Sequence, residues 1–175
     1  MTPEGAKGVP GTGGWASLSY ADRLRLIHRL TGPAIAAAIG ELGPEPGSLG
    51  LDAGCGAGTH VPQLARAAAP GARVVALDLS LTHLLEVFPS RGAAATPGRV
   101  LRVNGDLLRL PFPDRSFDWV WCADALWPRA EANDPVGAVR ELARAARPGG
   151  SVAVVFWSGQ TLLPGHAGLE ARLDA

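Results

Sequence analysis

Five short apolar runs without polar alternation constrain the fold of this chain most strongly. Stretches rich in Ala and Leu, with helical character, separate most of them. Strands that lack a polar face are typical of a parallel sheet covered by helices on both sides. The pattern therefore predicts an α/β, doubly wound, mostly parallel sheet. The predicted strands span residues 48–52, 73–78, 100–104, 117–122 and 151–157, and the predicted helices span residues 60–69, 81–88 and 135–147.

The chain divides into a leader, a helical segment and one α/β domain. Residues 1–14 are rich in Gly and Pro and hold no apolar signal-peptide centre, so we expect a flexible leader. In residues 15–45 apolar residues recur at helical spacing, and Gly32-Pro33 predicts a break into two helices. Residues 46–175 form the predicted α/β domain.

Composition disfavours several classes of protein. Sixteen basic residues balance sixteen acidic ones and no basic run is present, so nucleic acid is not an expected partner. No apolar run approaches the roughly 18 residues of a membrane span. Two cysteines are too few for a disulfide framework, which favours a cytoplasmic location. The four histidines are scattered and predict no metal site. His60, which follows the glycine loop, is expected on the surface of a first helical turn, with a position facing the ligand as the alternative.

Three glycines follow the first predicted strand and lead into a helix. Because Gly54, Gly56 and Gly58 lack a Cβ atom, the backbone there can approach a ligand closely. Dinucleotide-binding loops have the pattern G-x-G-x-x-G/A. Here the spacing is G-x-G-x-G, and Thr59 stands where the third dinucleotide glycine would be. A tight turn that binds no ligand remains the alternative at this point.

Carboxylates follow three consecutive strands, whose ends meet at one edge of a parallel sheet. Asp52 would repel a pyrophosphate but suits an ammonium group. Asp78 comes 20 residues after Gly58, where a Rossmann domain places the acid that binds ribose hydroxyls. Asp106 follows the third strand. Each could instead cap a helix or loop, although Ser80 can cap the helix after Asp78. Together they favour S-adenosylmethionine, which has an ammonium, a sulfonium and no phosphate, and whose carboxylate could use the next helix N-terminus.

Three stretches of this sequence resemble a known family. Residues 51–58, Leu-Asp-Ala-Gly-Cys-Gly-Ala-Gly, resemble motif I of class I S-adenosylmethionine-dependent methyltransferases. Residues 104–120 resemble the stretch GDa-x-x-LPFpd-x-sFD-x-V of the ubiquinone/menaquinone-biosynthesis-like branch (methyltransferase type 11). Residues 147–150, Arg-Pro-Gly-Gly, resemble the kPGG turn before its fifth strand. The likeness covers about residues 48–157. It implies a Rossmann-like enzyme that methylates a small molecule and releases S-adenosylhomocysteine.

The resemblance also implies which residues bind the cofactor. The glycine loop would lie against the methionine part, with Asp52 at its amino end. Asp78 would bind the ribose, Asp106 the adenine, and the residues that end strand four the sulfonium side. The complete set of implied cofactor-binding residues is Asp52, Gly54, Cys55, Gly56, Gly58, Asp78, Leu79, Asp106, Leu107, Cys122 and Ala123.

Methyl transfer from a sulfonium is an in-line displacement, so positioning alone can supply most of the acceleration. Two candidates for a further role follow strand four. Asp124 could deprotonate an acceptor, and Trp127 could place an aromatic face near the sulfonium. The alternatives are a solvated loop carboxylate and a packing Trp. Tyr20 is a candidate lid over the ligand, with plain packing as the alternative.

The family normally continues with strands six and seven, and the sequence shows strands one to five alone. Strand four or five is then expected to be an exposed edge. We expect truncation, with a partner chain such as a second copy in a homodimer as the alternative. A noncatalytic S-adenosylmethionine-binding or interaction module is accordingly the second functional hypothesis. The spacing and Asp52 disfavour an NAD(P) oxidoreductase. Cys55 and Cys122 are expected at the ligand edge, where S-adenosylmethionine would shield both thiols from alkylation.

Overall fold

A computed structural model describes residues 17–86, 98–126 and 134–156 of the chain. The leader, Trp127 and Trp157 lie outside these ranges. The helices are α1 (Tyr20–Leu42), α2 (Val61–Ala67), α3 (Leu81–Glu86) and α4 (Pro135–Ala145). The strands are β1 (Leu49–Ala53), β2 (Arg73–Asp78), β3 (Arg99–Asn104), β4 (Phe117–Ala123) and β5 (Ala146–Val155). Among the described residues, none of the helices has the length and apolar character that crossing a membrane requires.

The five strands form one parallel sheet in the order β3-β2-β1-β4-β5. The chain runs outward from β1 to β3 and then returns to the other side of β1, so β1 and β4 are neighbours at the point where the winding reverses. Ligands of open α/β sheets bind at such a switch point, outside the carboxyl ends of the strands. The predicted α/β, doubly wound, parallel architecture is confirmed.

Helix α1 is continuous, and the predicted break at Gly32-Pro33 is wrong. The side chain of Ser19 caps its start by accepting from the backbone N–H of Asp22, and Gly43 ends it in the left-handed conformation. Proline removes one backbone hydrogen bond. The helix continues through Pro33 because residues before and after it pack into the interior. The buried residues of α1 are Ala21, Thr31, Ile35, Ile39 and Leu42.

Apolar layers cover both faces of the sheet. Trp119 and Trp121 are buried on the face that α1 and α2 cover. The indole Nε1 of Trp119 donates to Oγ of Ser48 at 2.9 Å, so its buried N–H is satisfied. On the opposite face Leu51 packs with Leu142 of α4. Both faces of the central strands β1, β2 and β4 are buried because these strands carry almost no polar alternation, whereas most residues of β3 and β5 are exposed.

Strand β5 forms one edge of the described sheet. Phe117 pairs with Ala146 and Trp119 pairs with Ser151, so residues 147–150 bulge within β5 rather than forming a separate turn before it. Gly149 takes a φ of 77°, which glycine adopts without strain. Of the two strands expected as an exposed edge, β5 lies at the edge and β4 lies inside.

Candidate functional site

The glycine loop after β1 has a backbone that few other residues adopt. Gly54, Gly56 and Gly58 have φ values of 77°, 54° and 73°, in the left-handed region. The backbone N–H groups of Gly54 and Cys55 both donate to the carbonyl of Leu77, at 2.8 and 2.9 Å. A Cβ atom on Gly54 would collide with the Cβ of Ala125, in the segment after β4. The loop is therefore fastened to β2 and passes close to the end of β4.

Asp78 at the end of β2 organises this loop. Its Oδ2 accepts from the N–H of Gly56 and its Oδ1 accepts from the N–H of Ser80, each at 2.8 Å. His83 Nδ1 lies 3.5 Å from Oδ1. The hydroxyl of Ser80 accepts from the N–H of His83, so Ser80 caps the first turn of α3 as the sequence suggested. Asp78 thus does not have to cap α3, but its carboxylate already accepts a hydrogen bond from the glycine loop.

A cavity of about 530 Å³ opens at the carboxyl ends of the strands, and we call it the larger cavity. Its volume is in the range of sites for drug-sized ligands, roughly 300–1,000 Å³. Asp106 lies in its wall, where its Oδ1 accepts from the N–H of Leu108 at 2.9 Å. The lining residues that the sequence assigned to a ligand are Gly54, Asp78, Leu79, Asp106, Leu107 and Asp124.

A second, smaller cavity of about 70 Å³ lies between α1 and the glycine loop, and we call it the smaller cavity. Tyr20, Gly54 and Asp124 line both cavities, so the two are neighbours. Tyr20, the candidate lid, therefore lies at the site. Its ring stacks on His83 with the centroids 4.1 Å apart. The remaining lining residues are Leu24, Ile27, His28, Thr31, Cys55, Gly56, Thr59, His60 and Ala123.

Asp52, Gly58 and Cys122 belong to the predicted set but line neither of these two cavities. Asp52 lies behind the lining, with 2% of its surface exposed, and its Oδ2 has no hydrogen-bond partner. Burial, and then the charge of Asp78, raises the pKa of Asp52 to about 8. An unsatisfied buried carboxylate is costly, and a cation held beside it would offset that cost.

Three of the four histidines line the two cavities, and the sequence had offered only His60 for such a place, as an alternative. His60 was expected on the surface, and that prediction is wrong. Its Nδ1 accepts from the indole Nε1 of Trp121 at 3.2 Å, and its ring lies 5.4 Å from that of His28. Burial, and then His28, lowers the pKa of His60 to about 4. A signal was available, because Tyr20, Leu24 and His28 recur every fourth residue and so share one face of α1.

The two cysteines are buried near the same end of the sheet. Cys55 borders the smaller cavity, whereas Cys122 lies within the packed interior. Burial, and then the charge of Asp52, raises the pKa of both thiols, that of Cys122 to about 12. Both thiols are therefore shielded by the protein itself.

Asp124 follows β4 in the left-handed conformation, with a φ of 53°. A non-glycine residue there is uncommon and merits inspection for function. Its backbone N–H donates to the carbonyl of Val155 at 2.9 Å, which ties the segment after β4 to the end of β5. Asp124 lines both cavities and therefore lies where they meet.

Comparisons with known proteins agree with this architecture. The sequence model of a family described as a methyltransferase domain matches residues 51–154. The demethylmenaquinone methyltransferase of Staphylococcus aureus is 34% identical over 122 residues, which cover 70% of this chain and 48% of that protein. The chain thus spans about half the length of the curated relatives it matches.

Two solved structures have the same fold. One is a Haloferax volcanii methyltransferase solved in complex with the Trm112 methyltransferase activator. It has a TM-score of 0.63 and 25% identity, over 76% of this chain and 55% of that one. The other is a SAM-dependent methyltransferase from Aquifex aeolicus, with a TM-score of 0.60 and 21% identity, over 74% of this chain and 67% of that one.

Proposed function

The chain belongs to the methyltransferase domain family, and from this premise we propose that it binds S-adenosylmethionine and transfers a methyl group to a small molecule. The observation that carries the proposal is the convergence of the glycine loop, Asp78 and Asp106 on the larger cavity. A carboxylate at each of two strand ends, beside a loop with three glycines, suits a ligand rich in hydrogen-bond donors.

The adenosine part of the cofactor fits the larger cavity. Asp78 reaches its wall from β2 and would accept from the ribose hydroxyls. Asp106 would accept from the adenine amine, with Leu107 and Leu79 forming apolar walls beside the base. The methionine part would continue past Gly54, which borders both cavities, toward the smaller cavity. Asp52 beneath the loop would then complement the ammonium group.

The bound cofactor supplies an activated methyl group on a sulfonium, whose leaving group needs no assistance. The residues of this chain have to hold the reacting atoms in line and exclude water. Asp124 lines both cavities and Ala123 lines the smaller one, so both would lie near the sulfonium. An acceptor O–H or N–H must also lose a proton, and Asp124 is the carboxylate best placed to take it. Trp127 stays a prediction outside the described residues.

The acceptor is a small molecule in this proposal. The name of the Staphylococcus aureus relative, a demethylmenaquinone methyltransferase, supports a quinone-like ring. We also propose that the protein is cytoplasmic. In the same proposal a second copy of the chain covers the β5 edge. The exposed Val152, Val154 and Phe156 of that edge support such a contact.

Calorimetry followed by an activity assay tests this function. We expect the folded chain to bind S-adenosylhomocysteine and to ignore NAD. We then expect label to pass from methyl-labelled S-adenosylmethionine to the reduced, quinol form of a demethylated quinone, which has a nucleophilic ring and a proton to lose. Failure of a folded sample to bind S-adenosylhomocysteine would falsify the proposal. Binding without transfer to any small acceptor would support the noncatalytic module instead.

A further inference from the structure

The smaller cavity has the size and the polar lining of a site for one compact charged group. Its volume of about 70 Å³ leaves room for a carboxylate with its attached carbon. Of the described residues that line it, His28 and His60 are the two whose side chains can carry positive charge. Thr31 and Thr59 contribute hydroxyl groups.

The contact with Trp121 fixes the protonation pattern of His60. An indole N–H can only donate, so Nδ1 of His60 accepts, and the neutral ring carries its proton on Nε2. That N–H is the donor which remains for a ligand. The edge-on packing of the two rings, with centroids 5.8 Å apart, holds the imidazole in this orientation.

His28 lines the same cavity from α1, and one of its ring nitrogens has no hydrogen-bond partner. Its Nδ1 is buried without a hydrogen-bond partner. With the proton of the neutral ring on Nδ1, this atom is a donor that a carboxylate in the cavity would satisfy. The two imidazoles, 5.4 Å apart at their centroids, would then each offer one N–H donor.

We propose that His28 and His60 together bind the carboxylate of the cofactor's amino acid end in the smaller cavity. The inference rests on the proposed function and assigns its methionine subsite to residues of α1 and of the α2 start. Asp52, behind the glycine loop, would ionise beside the neighbouring ammonium, so the two ends of the zwitterion would meet an acceptor on one side and two neutral N–H donors on the other. The sequence pattern had directed this carboxylate to the N-terminus of α2, which has seven residues.

Three ligands separate this assignment from a structural role of the histidines. S-Adenosylhomocysteine carries both the amine and the carboxylate. S-Adenosylthiopropylamine keeps the amine and lacks the carboxylate, and 5′-methylthioadenosine lacks both. In His28→Asn and in His60→Asn we expect the affinity for S-adenosylhomocysteine, measured by calorimetry, to fall by about tenfold or more. The affinities for the other two ligands should stay within about twofold of wild type. Leu30→Ala, on the exposed side of α1, is the matched control and should change none of them.

Each outcome decides the assignment. An equal loss for all three ligands means that the histidines hold the fold, and unchanged affinity for S-adenosylhomocysteine means that the carboxylate lies elsewhere; either result overturns the inference. If wild type binds none of the three, the proposed function itself fails. For a variant that does not fold, ¹⁵N-histidine spectra of the wild-type protein replace it. Signals of both rings should shift with S-adenosylhomocysteine and not with S-adenosylthiopropylamine, and identical spectra would overturn the inference.

Discussion

Oδ2 of Asp78 accepts a hydrogen bond from the backbone N–H of Gly56 at 2.8 Å, so the end of β2 holds the loop that follows β1. The same carboxylate accepts from Ser80 through its other oxygen. Asp78 therefore has a structural task before any ligand arrives, and a test of its ligand role has to separate the two.

Substitution of Asp78 should weaken cofactor binding through the loss of charge-assisted hydrogen bonds. For Asp78→Ala we expect a loss of about 1.5–3 kcal/mol in the free energy of binding S-adenosylhomocysteine, measured by calorimetry. If Asp78 contacts the ribose, the loss is smaller for an analogue that lacks the ribose 2′-hydroxyl. Equal losses for both ligands would restrict Asp78 to holding the loop, and unchanged affinity would remove the ribose assignment.

Gly54→Ala should destabilise the loop in two separable ways. The left-handed backbone costs a non-glycine residue about 1–2 kcal/mol, and the collision of the new Cβ with Ala125 adds an overpacking term of about 1–3 kcal/mol. Adding Ala125→Gly removes the collision and leaves the backbone strain. Urea unfolding should therefore show partial recovery in the double variant. Full recovery, or none, would contradict this division.

The buried Asp52 should make the protein less stable as pH rises. Its pKa is about 8 when folded and near 3.8 when unfolded, so between these values the folded state keeps a proton that the unfolded chain has released. The stability that this proton contributes is fully present below about pH 4 and is lost as pH rises through about 8. Asp52→Asn cannot ionise. The unfolding free energy of Asp52→Asn, measured with denaturant, should therefore rise relative to that of wild type as the pH increases from about 4 to about 8.

Asp22 provides the control for that experiment. Hydrogen bonds from Ser19 and Arg25 lower its pKa, so its contribution is present at neutral pH and lost on acidification. Asp22→Asn should therefore change the pH profile in the opposite direction. A pH profile of Asp52→Asn parallel to that of wild type would show that Asp52 does not titrate in this window.

Arg144 should stabilise the segment that follows Asp106. Its Nη1 donates to the carbonyl of Phe112 at 2.9 Å and to Asp114 at 2.8 Å, and its Nη2 donates to the carbonyl of Leu110 at 3.2 Å. A Lys side chain lacks this planar fork and cannot reach all three acceptors. Arg144→Lys should lower the unfolding free energy by about 1 kcal/mol, measured in urea. Arg140→Lys, at an exposed position of the same helix, should leave it unchanged, and equal effects of both would remove the special role of Arg144.

The thiols of Cys55 and Cys122 should resist alkylation even without a ligand. Both are buried and both have raised pKa values, so little thiolate is exposed to a reagent. The sequence suggested shielding by S-adenosylmethionine, whereas the structure favours shielding by the fold. Iodoacetamide labelling followed by mass spectrometry should be slow with and without S-adenosylhomocysteine, and fast after unfolding. Fast labelling that the ligand suppresses would restore the first hypothesis.

Local patterns were enough to predict the sheet. The strand from Arg73 to Asp78 was predicted with its observed bounds, and β1 differs by one residue at each end, because apolar runs between turns are a local signal. The break at Gly32-Pro33 was wrong, since packing on both sides of Pro33 outweighed one lost hydrogen bond. The sequence could not weigh these contributions, because the packing partners lie in β strands far along the chain.

The site was predictable where it follows strand ends and not where helices meet it. Asp78 and Asp106 reach the larger cavity because parallel strands end at a common edge. The environment of His60 depends on Trp121 and on His28, which are distant in sequence and adjacent only after folding. Asp52 shows the same limit, because strand spacing places it at the edge but does not reveal that the glycine loop covers it.

Helix α1 contributes Tyr20, His28 and Thr31 to the smaller cavity, yet it precedes residue 51, where the family match begins. The residues that we propose for adenosine and the far wall of the smaller cavity thus come from different parts of the chain. An exchange of residues 20–42 between relatives should act as a modular graft. It would transplant the preference for the amino acid end of the cofactor and leave the contacts of Asp78 and Asp106 with adenosine in place.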